Sequence, residues 1–505
     1  MSKSKSNLSV PLVVSWTAHL ITVASGFIVP RLIDQQMGQE LLGIWDLSWS
    51  LVSYCMLLEA GIGSSVNRHV ALYLKDRDFN AVNRIVTSVA FFNRAMAFLI
   101  LIFLGVLILI YPKIIGYAQP ELVMQGRWVV GILGFSVVLN LTGAVYTGIL
   151  TGLHRWSLHH GIYTFSNIIS FIGMLLVLLS DKTSLLALAL VHLCTELLGR
   201  ILRIVACYRF YPDLKIKRTY FDMSTMRKMF GFGGRMFVGR MSKILMGQSV
   251  SVMIATFLGP ATLAIFTRSR SLVRQASVFP QKYAFMLVPK SAALSSDSDK
   301  KKLQHFAISA TRNALYMILP LVVFLTLNGG LLLSLWMGPD YANPILIGVL
   351  ATGFAAEMVY EPLNNILFGQ DLHGKPALAS LFGAICVLAI VFSLLSAGVK
   401  NLISIALAII IPWSLVHGAY IPVFACRKLK IPVKRFLLES WAQPLACVSP
   451  FVLALLAGRI IFSERGVLFE LVISGLLGSS ALLFSYYLWV IPQSWKEKLT
   501  TIRRQ

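Results

Sequence analysis

The stretch LGPATLAIFTRSRSLV (258–273) repeats MGQELLGIWDLSWSLV (37–52). Gly259, Leu263, Ile265, Ser269, Ser271, Leu272 and Val273 stand where Gly38, Leu42, Ile44, Ser48, Ser50, Leu51 and Val52 stand in the earlier copy. The register continues beyond it: Ala71, Asp76 and Asp78 match Ala292, Asp297 and Asp299, YAQP (117–120) matches YANP (341–344), and GILTG (148–152) resembles NILFG (365–369). One such match between apolar segments is unremarkable as chance, but a series in the same order indicates a duplicated scaffold. With six apolar spans between each copy and its partner, an even number, the halves are expected as parallel repeats related by an axis along a membrane normal, with any transport site between them.

The membrane itself follows from composition. Of 505 residues 57% are hydrophobic and only 13% charged, outside the range of soluble globular chains. Apolar runs long enough to cross about 30 Å of hydrocarbon can be placed fourteen times between residues 10 and 491, including 10–30, 44–64 and 261–289. The run after Lys3 and Lys5 is longer than a signal-peptide core and lacks an A-x-A site, so it reads as the first span. The expected fold is an all-α polytopic membrane protein. Its divisions are a six-helix lobe over 1–207, a basic linker over 208–231, a second six-helix lobe over 232–424, and two additional helices with a tail over 425–505.

A net charge of +24 would suggest nucleic acid in a soluble chain, but here the cations lie in short gaps between apolar runs. Counted by side, 27 fall with the N-terminus and five on the opposite face, which predicts both termini in the cytoplasm and no nucleic-acid partner. No gap is long enough for a soluble domain on either face. The linker is expected as a solvated stretch, touching anionic headgroups and including a short surface helix. The six cysteines have neither CxxC nor metal-ligand spacing and read as packing residues, so no metal site and no cofactor are expected.

The second copy departs from the first in one respect: Arg268, Arg270 and Arg274 replace Leu47, Trp49 and Ser53. Lys282 follows in the same apolar run, and Arg240 and Lys243 stand on the preceding span. Each cation facing lipid at mid-depth would cost about 2.5–3.5 kcal/mol, so such residues face a bundle interior or a wet cavity. A requirement of the shared scaffold would appear in both copies, which favours a ligand role, and guanidinium groups suit a diphosphate. On a helix Arg270 and Arg274 lie about 40° apart, as do Arg268 and Lys282 on a largely different side, so one face cannot hold all four. The pair facing a ligand is left open by periodicity. Among acidic residues within spans, Glu357 and Glu361 form an i,i+4 face before Pro362, and Asp46 and Glu59 lie in the first copy. They are candidates for neutralising the arginines, the preferred role, or for coupling Na⁺ or H⁺. Glu196 is expected to pair with Arg200, four residues on.

The segments LLGIWDLSWSLVSYCMLLEAGIGSSVNRHVALYLKDRD (41–78), LWMGPDYANP (335–344) and TGLHRW (151–156) resemble the polysaccharide-biosynthesis flippases of the multidrug/oligosaccharidyl-lipid/polysaccharide exporter superfamily. Glu59 fits the acidic-then-glycine pattern of that family. The resemblance implies a fourteen-helix plan with two lobes in a V, not an enzyme, working in the bacterial inner membrane. It also implies movement of an undecaprenyl-diphosphate-linked oligosaccharide, such as an O-antigen or capsule unit, to the periplasmic leaflet. Glycan polymerase or chain-length machinery would be the protein partners and the membrane potential, Na⁺ or H⁺ the available driving forces. The alternatives are a peptidoglycan lipid-precursor flippase, a multidrug cation antiporter, which an arginine-rich cavity disfavours, and a membrane glycan polymerase or ligase, which would need a large periplasmic loop.

Overall fold

The computed structural model describes residues 9–59, 62–75, 78–115, 119–181, 183–294, 299–462 and 465–490, which are helical almost throughout with no strand among them. Contacts divide the chain into two compact units, Met1–Ala264 and Ile265–Gln505. The first holds α1 (Ser9–Met37), α2 (Gln39–Ser53), α3 (Ile62–Lys75), α4 (Phe79–Ile114), α5 (Pro120–Gly152), α6 (Trp156–Leu178), α7 (Leu185–Phe210) and α8 (Met223–Leu258). Helix α9 (Pro260–Ala276) begins at its end. The second unit continues with α10 (Val278–Ala293), α11 (Lys300–Met337), α12 (Pro344–Gly369), α13 (Gly374–Ser396), α14 (Leu402–Ser414), α15 (Ile421–Leu429), α16 (Val433–Phe462) and α17 (Val467–Trp489).

Eleven helices among the described residues are long and apolar enough to cross a membrane. Their large apolar side chains point outward: in the most apolar stretch of α4 only 22% of residues are buried, and Leu99, Leu101, Ile102, Val106 and Leu109 all face away from the protein. A surface of this kind is stable against hydrocarbon and not against water. The chain is a multi-pass membrane protein. The sequence-based expectation was fourteen spans, and two of the three segments outside the eleven are interrupted helices. The expected span 261–289 is divided at Ser277 into α9 and α10, and the expected span 44–64 passes from α2 through a 3-10 stretch, Tyr54–Glu59, toward α3. Backbone groups freed by such a break are tolerated at membrane depth only where protein or a wet cavity satisfies them. The remaining segment, 10–30, lies in α1.

The duplication is written into the helix ends. Gly38 before α2 (φ 88°, ψ 166°) and Gly259 before α9 (φ 91°, ψ 163°) hold the same positive-φ conformation, which a residue with a Cβ adopts only with strain. Asp78 and Asp299 stand at the N-cap positions of α4 and α11, where the Asp78 side chain accepts from the Ala81 amide, and the matched Pro120 and Pro344 open α5 and α12 at the position where a missing N–H costs nothing. Those two helices also end alike. Leu153, His154 and Arg155 donate to Ile149, Thr151 and Leu150, as Gln370, Asp371 and Leu372 donate to Ile366, Phe368 and Leu367. His154 and Asp371 take the left-handed turn at φ 57° and 55°.

The division at Ala264 falls after the 208–231 segment, because α8 packs on α2, α3 and α4 of the first unit. The Tyr54 and Ser249 hydroxyls share a 2.6 Å hydrogen bond there. The linker exposes most of its side chains, as expected of a solvated stretch, but its backbone is tied to α4. Asn83 of α4 donates to the Asp213 carbonyl and accepts from the Lys215 amide, Thr87 donates to the Lys215 carbonyl, and the Asp222 amide donates to Ser88. Tyr211 and Leu214 are buried with Val82, Ile85 and Val86. The segment holds one 3-10 turn, Arg218–Tyr220, and its end is helical, as the first turns of α8 from Met223 on. Asp222 caps α8, and hydrogen bonds from Thr225 and Ser224 hold its carboxyl well below the usual carboxylate range. Because Asn83 satisfies one amide and one carbonyl of the linker, Asn83→Ala is expected to cost about 1–2 kcal/mol. The reading is faster hydrogen exchange at the Lys215 amide by about 5- to 30-fold, with the amides of α5 unchanged; equal rates would mean that the linker is held by its buried side chains alone.

Candidate functional site

The charged helix α9 presents its cations in different surroundings. Arg268 is only 4% exposed, beside the fully buried Ser269, and so lies on the packed side of the helix. Arg270 is partly exposed and Arg274 exposed, two turns of one face. Arg274 stands in the last turn, where its charge complements the helix end, and Ser277 closes that end by donating both its amide and its hydroxyl to the Arg274 carbonyl. Lys282 on α10 is exposed, as are Arg240 and Lys243 on α8 in the first unit. None of the six lacks an interacting neighbour. The structure therefore keeps Arg270 with Arg274, sets Arg268 apart, and leaves the two α8 cations in the other unit.

Arg270 is the centre of a polar group within the second unit. Its charged neighbours are Arg274 and Glu357 of α12. Glu357 Oε2 accepts a 2.8 Å hydrogen bond from Trp413 Nε1 of α14, and the Trp413 ring lies 4.3 Å from that of His417. This contact requires α12 and α14 to approach closely. They do so at Gly353, where a Cβ would meet Ile410 at 2.4 Å, and Ser414 donates to the Gly353 carbonyl at 2.9 Å. Buried His417 sits in a π-helical stretch, Leu415–Tyr420, which joins α14 to α15 in one continuous span. Such π turns are frequent at functional sites. Glu361, one turn beyond Glu357, is partly buried. In the first unit Asp46 is buried on α2, while the Glu59 side chain lies outside the described residues.

Glu196 differs from its expected pairing. Its carboxylate lies 3.9 Å from Arg203 Nη2, seven residues on, and accepts from Asn140 Nδ2 at 3.2 Å. Seven residues return to nearly the same helix face as four, and the Asn140 amide of α5 selects the inner of the two arginines. Sequence reasoning also passed over Trp413, Asn140 and Arg203. The only available signal was a polar or hydrogen-bonding residue within an apolar run, which many packed helices also carry.

Comparison with known proteins adds the family. The family model described as "Polysaccharide biosynthesis protein" matches residues 74–345, more than half of the chain. A putative O-antigen transporter of Shigella flexneri is 24% identical over 344 residues, covering 65% of this chain and 79% of its own. Among solved structures, a multidrug resistance MATE family transporter of the MOP superfamily, in an inward-facing conformation, has a TM-score of 0.71 at 14% identity, covering 83% of this chain and 98% of that one. The lipid II flippase MurJ, in an inward closed conformation, has a TM-score of 0.64 at 14% identity, covering 95% and 100%. These structures share the fold. The chain belongs to the polysaccharide biosynthesis protein family, as a multi-pass membrane transporter rather than an enzyme.

Proposed function

We propose that the protein moves an undecaprenyl-diphosphate-linked oligosaccharide, an O-antigen or capsule repeat unit, from the cytoplasmic to the periplasmic leaflet by alternating access. The observation that carries this reading is the position of Arg270 and Arg274. They share one face of an interrupted helix, where the other copy of the repeat holds Trp49 and Ser53. Two guanidinium groups against one neighbouring carboxylate leave net positive charge for the oxygens of a diphosphate, which they bind bidentately. The name of the Shigella relative agrees with this substrate class. An inside-negative potential favours outward passage of such a headgroup by about 2.3 kcal/mol per charge per 100 mV, so no ATP is needed. A peptidoglycan lipid precursor has the same diphosphate chemistry, and the MurJ likeness makes it the second reading. The experiment is headgroup translocation in proteoliposomes holding either lipid-linked glycan. Flipping should fall sharply when Arg270, Arg274 and Arg240 are changed together to alanine, and unchanged flipping would remove these cations from the mechanism.

Glu357 then acts as the counter-charge of Arg270. Glu357→Gln keeps an oxygen for the Trp413 indole but removes the negative charge. Tighter headgroup binding and several-fold slower turnover are expected, because release meets stronger attraction. A variant that keeps both and loses only Na⁺ or pH dependence would make Glu357 a coupling site instead.

A further inference from the structure

We infer that an open cavity of the first unit, with polar side chains set in a largely apolar wall, is a binding site for a neutral sugar residue of the transported glycan, an inference that rests on the transport reading above. The cavity has a volume of about 440 Å³ and is walled by α3, α5, α6 and α7. That is within the roughly 300–1,000 Å³ range of small-molecule sites. Its lining is unusual for a helix bundle in a membrane: Asn67, Asn140, Thr147, Thr151, Glu196 and Arg203 face it. Trp156 and Tyr163 complete the wall, 41% and 44% exposed, and His159 stands between them on α6.

Three features together point to a ligand. First, Arg203 is 8% exposed and its Nε–H has no hydrogen-bond partner among the described residues, and neither has the buried Nδ1 of His159, which lines the same cavity. A buried polar atom without a partner costs about 1–3 kcal/mol, more when charged, so these two atoms are expected to be met by something that enters. Second, α6 and α7 approach closely at Gly199, where a Cβ would stand 2.8 Å from Ser166 Oγ, and this holds Arg203, one turn on, against the cavity wall. Third, the cavity wall carries both signs of charge, with Arg203 Nη2 3.9 Å from the Glu196 carboxylate. An acidic sugar would meet Glu196 and a cationic ligand would meet Arg203. A pyranose with neutral hydroxyl or acetamido groups can donate to the Glu196 carboxylate and accept from Arg203 Nε–H and the asparagine amides. It can also lay its C–H face on Trp156 or Tyr163.

Asn140 and Glu196 also line a second, mainly apolar cavity of about 190 Å³ with Trp49, Met56, Val137 and His192. The polar site therefore opens beside apolar volume. That arrangement suits a molecule whose sugars are joined to a lipid, and it gives the glycan a contact separate from the cations of α9.

The test uses purified full-length protein with the methyl glycosides of N-acetylglucosamine, galactose and glucuronic acid as probes. Binding is followed by saturation-transfer NMR and tryptophan fluorescence. The expected result is saturable binding of a neutral glycoside, exclusion of the glucuronide, and at least tenfold weaker binding in Trp156→Ala and in Asn140→Ala. Both substituted residues are exposed, so the fold tolerates their truncation, and Arg203→Lys serves as a check on the guanidinium. Saturation by the glucuronide alone, no saturation by any neutral glycoside, or equal binding in Trp156→Ala would each overturn the inference. Translocation of lipid-linked glycan is measured in parallel. Glycoside binding without translocation removes the transport reading and keeps the sugar site; normal translocation without glycoside binding does the reverse.

Discussion

Arg270→Ala is expected to reduce headgroup translocation by about 30- to 4,000-fold, and adding Glu357→Gln is expected to restore folding without restoring transport. Truncating one member of a desolvated, hydrogen-bonded charge pair typically costs about 2–5 kcal/mol of binding, which sets that range. The single substitution has a second consequence. It removes the Arg270 charge from beside Glu357, with Trp413 still donating to the carboxylate. Removing one partner of a partly buried pair leaves the other charge less compensated and costs less than the about 3–5 kcal/mol of a fully buried pair. Reduced yield and lower thermal stability of Arg270→Ala would therefore appear under either role of Arg270, as substrate ligand or as structural counter-charge. The double variant separates them. With Glu357 neutral, the stranded charge is gone and stability should return toward wild type. If Arg270 serves only to balance Glu357, translocation returns with it, and the ligand role is lost. If Arg270 holds the diphosphate, the double variant is stable and inactive. Arg274→Ala should show a smaller stability loss because its side chain is exposed.

Which parts of this arrangement could be read from sequence depends on whether their cause is local. Helix ends are set by a few residues: Gly38 and Gly259, Pro120 and Pro344, and Asp78 each fix a boundary by backbone or capping chemistry, and their counterparts, Asp299 included, align in the repeat. The separation of Arg268 from Arg270 follows from helical periodicity, although the packed side could be assigned only from tertiary contacts. The break after Ala276 is announced by Pro280, which cannot donate to the Ala276 carbonyl and whose ring clashes with it, so a continuous helix is excluded there. The break after Ser53 has no proline or glycine within the 3-10 stretch Tyr54–Glu59 and depends on packing. The linker misled for a related reason. Its composition is basic and polar, yet its backbone groups are satisfied by Asn83, Thr87 and Ser88, residues more than a hundred positions away that look like an ordinary polar start to α4. The partner choice of Glu196 and the π turn at His417 likewise depend on which helix lies opposite, which one sequence does not encode in spacing.

Gly43→Ala is expected to destabilise the protein by about 1–3 kcal/mol or more, whereas Gly26→Ala on α1 should be neutral or stabilise it. Both are glycines within helices, and glycine is normally the poorer choice there by about 0.5–1 kcal/mol relative to alanine. Propensity alone therefore predicts a gain at each. Their surroundings are opposite. Nothing lies within 4 Å of a Cβ at Gly26, while a Cβ at Gly43 would stand 1.9 Å from the Pro260 carbonyl oxygen and 2.3 Å from its carbon. These are backbone atoms at the start of α9, so no rotamer change can relieve the overlap. The helices must separate by more than 1 Å to reach ordinary contact, which would also disturb the Gly259 turn and the packing of buried Leu42 and Ile44. The repeat sharpens the comparison, since the position matching Gly43 is Ala264. A buried methyl stands at this position in the second copy, whereas at Gly43 the backbone of Pro260 leaves no room for one. Thermal unfolding of detergent-purified protein, followed by size exclusion, reads the difference directly. Equal midpoints for the two variants would mean that the crossing at Gly43 is loose enough to yield, and that the contact between α2 and the α8–α9 turn does not fix the first unit.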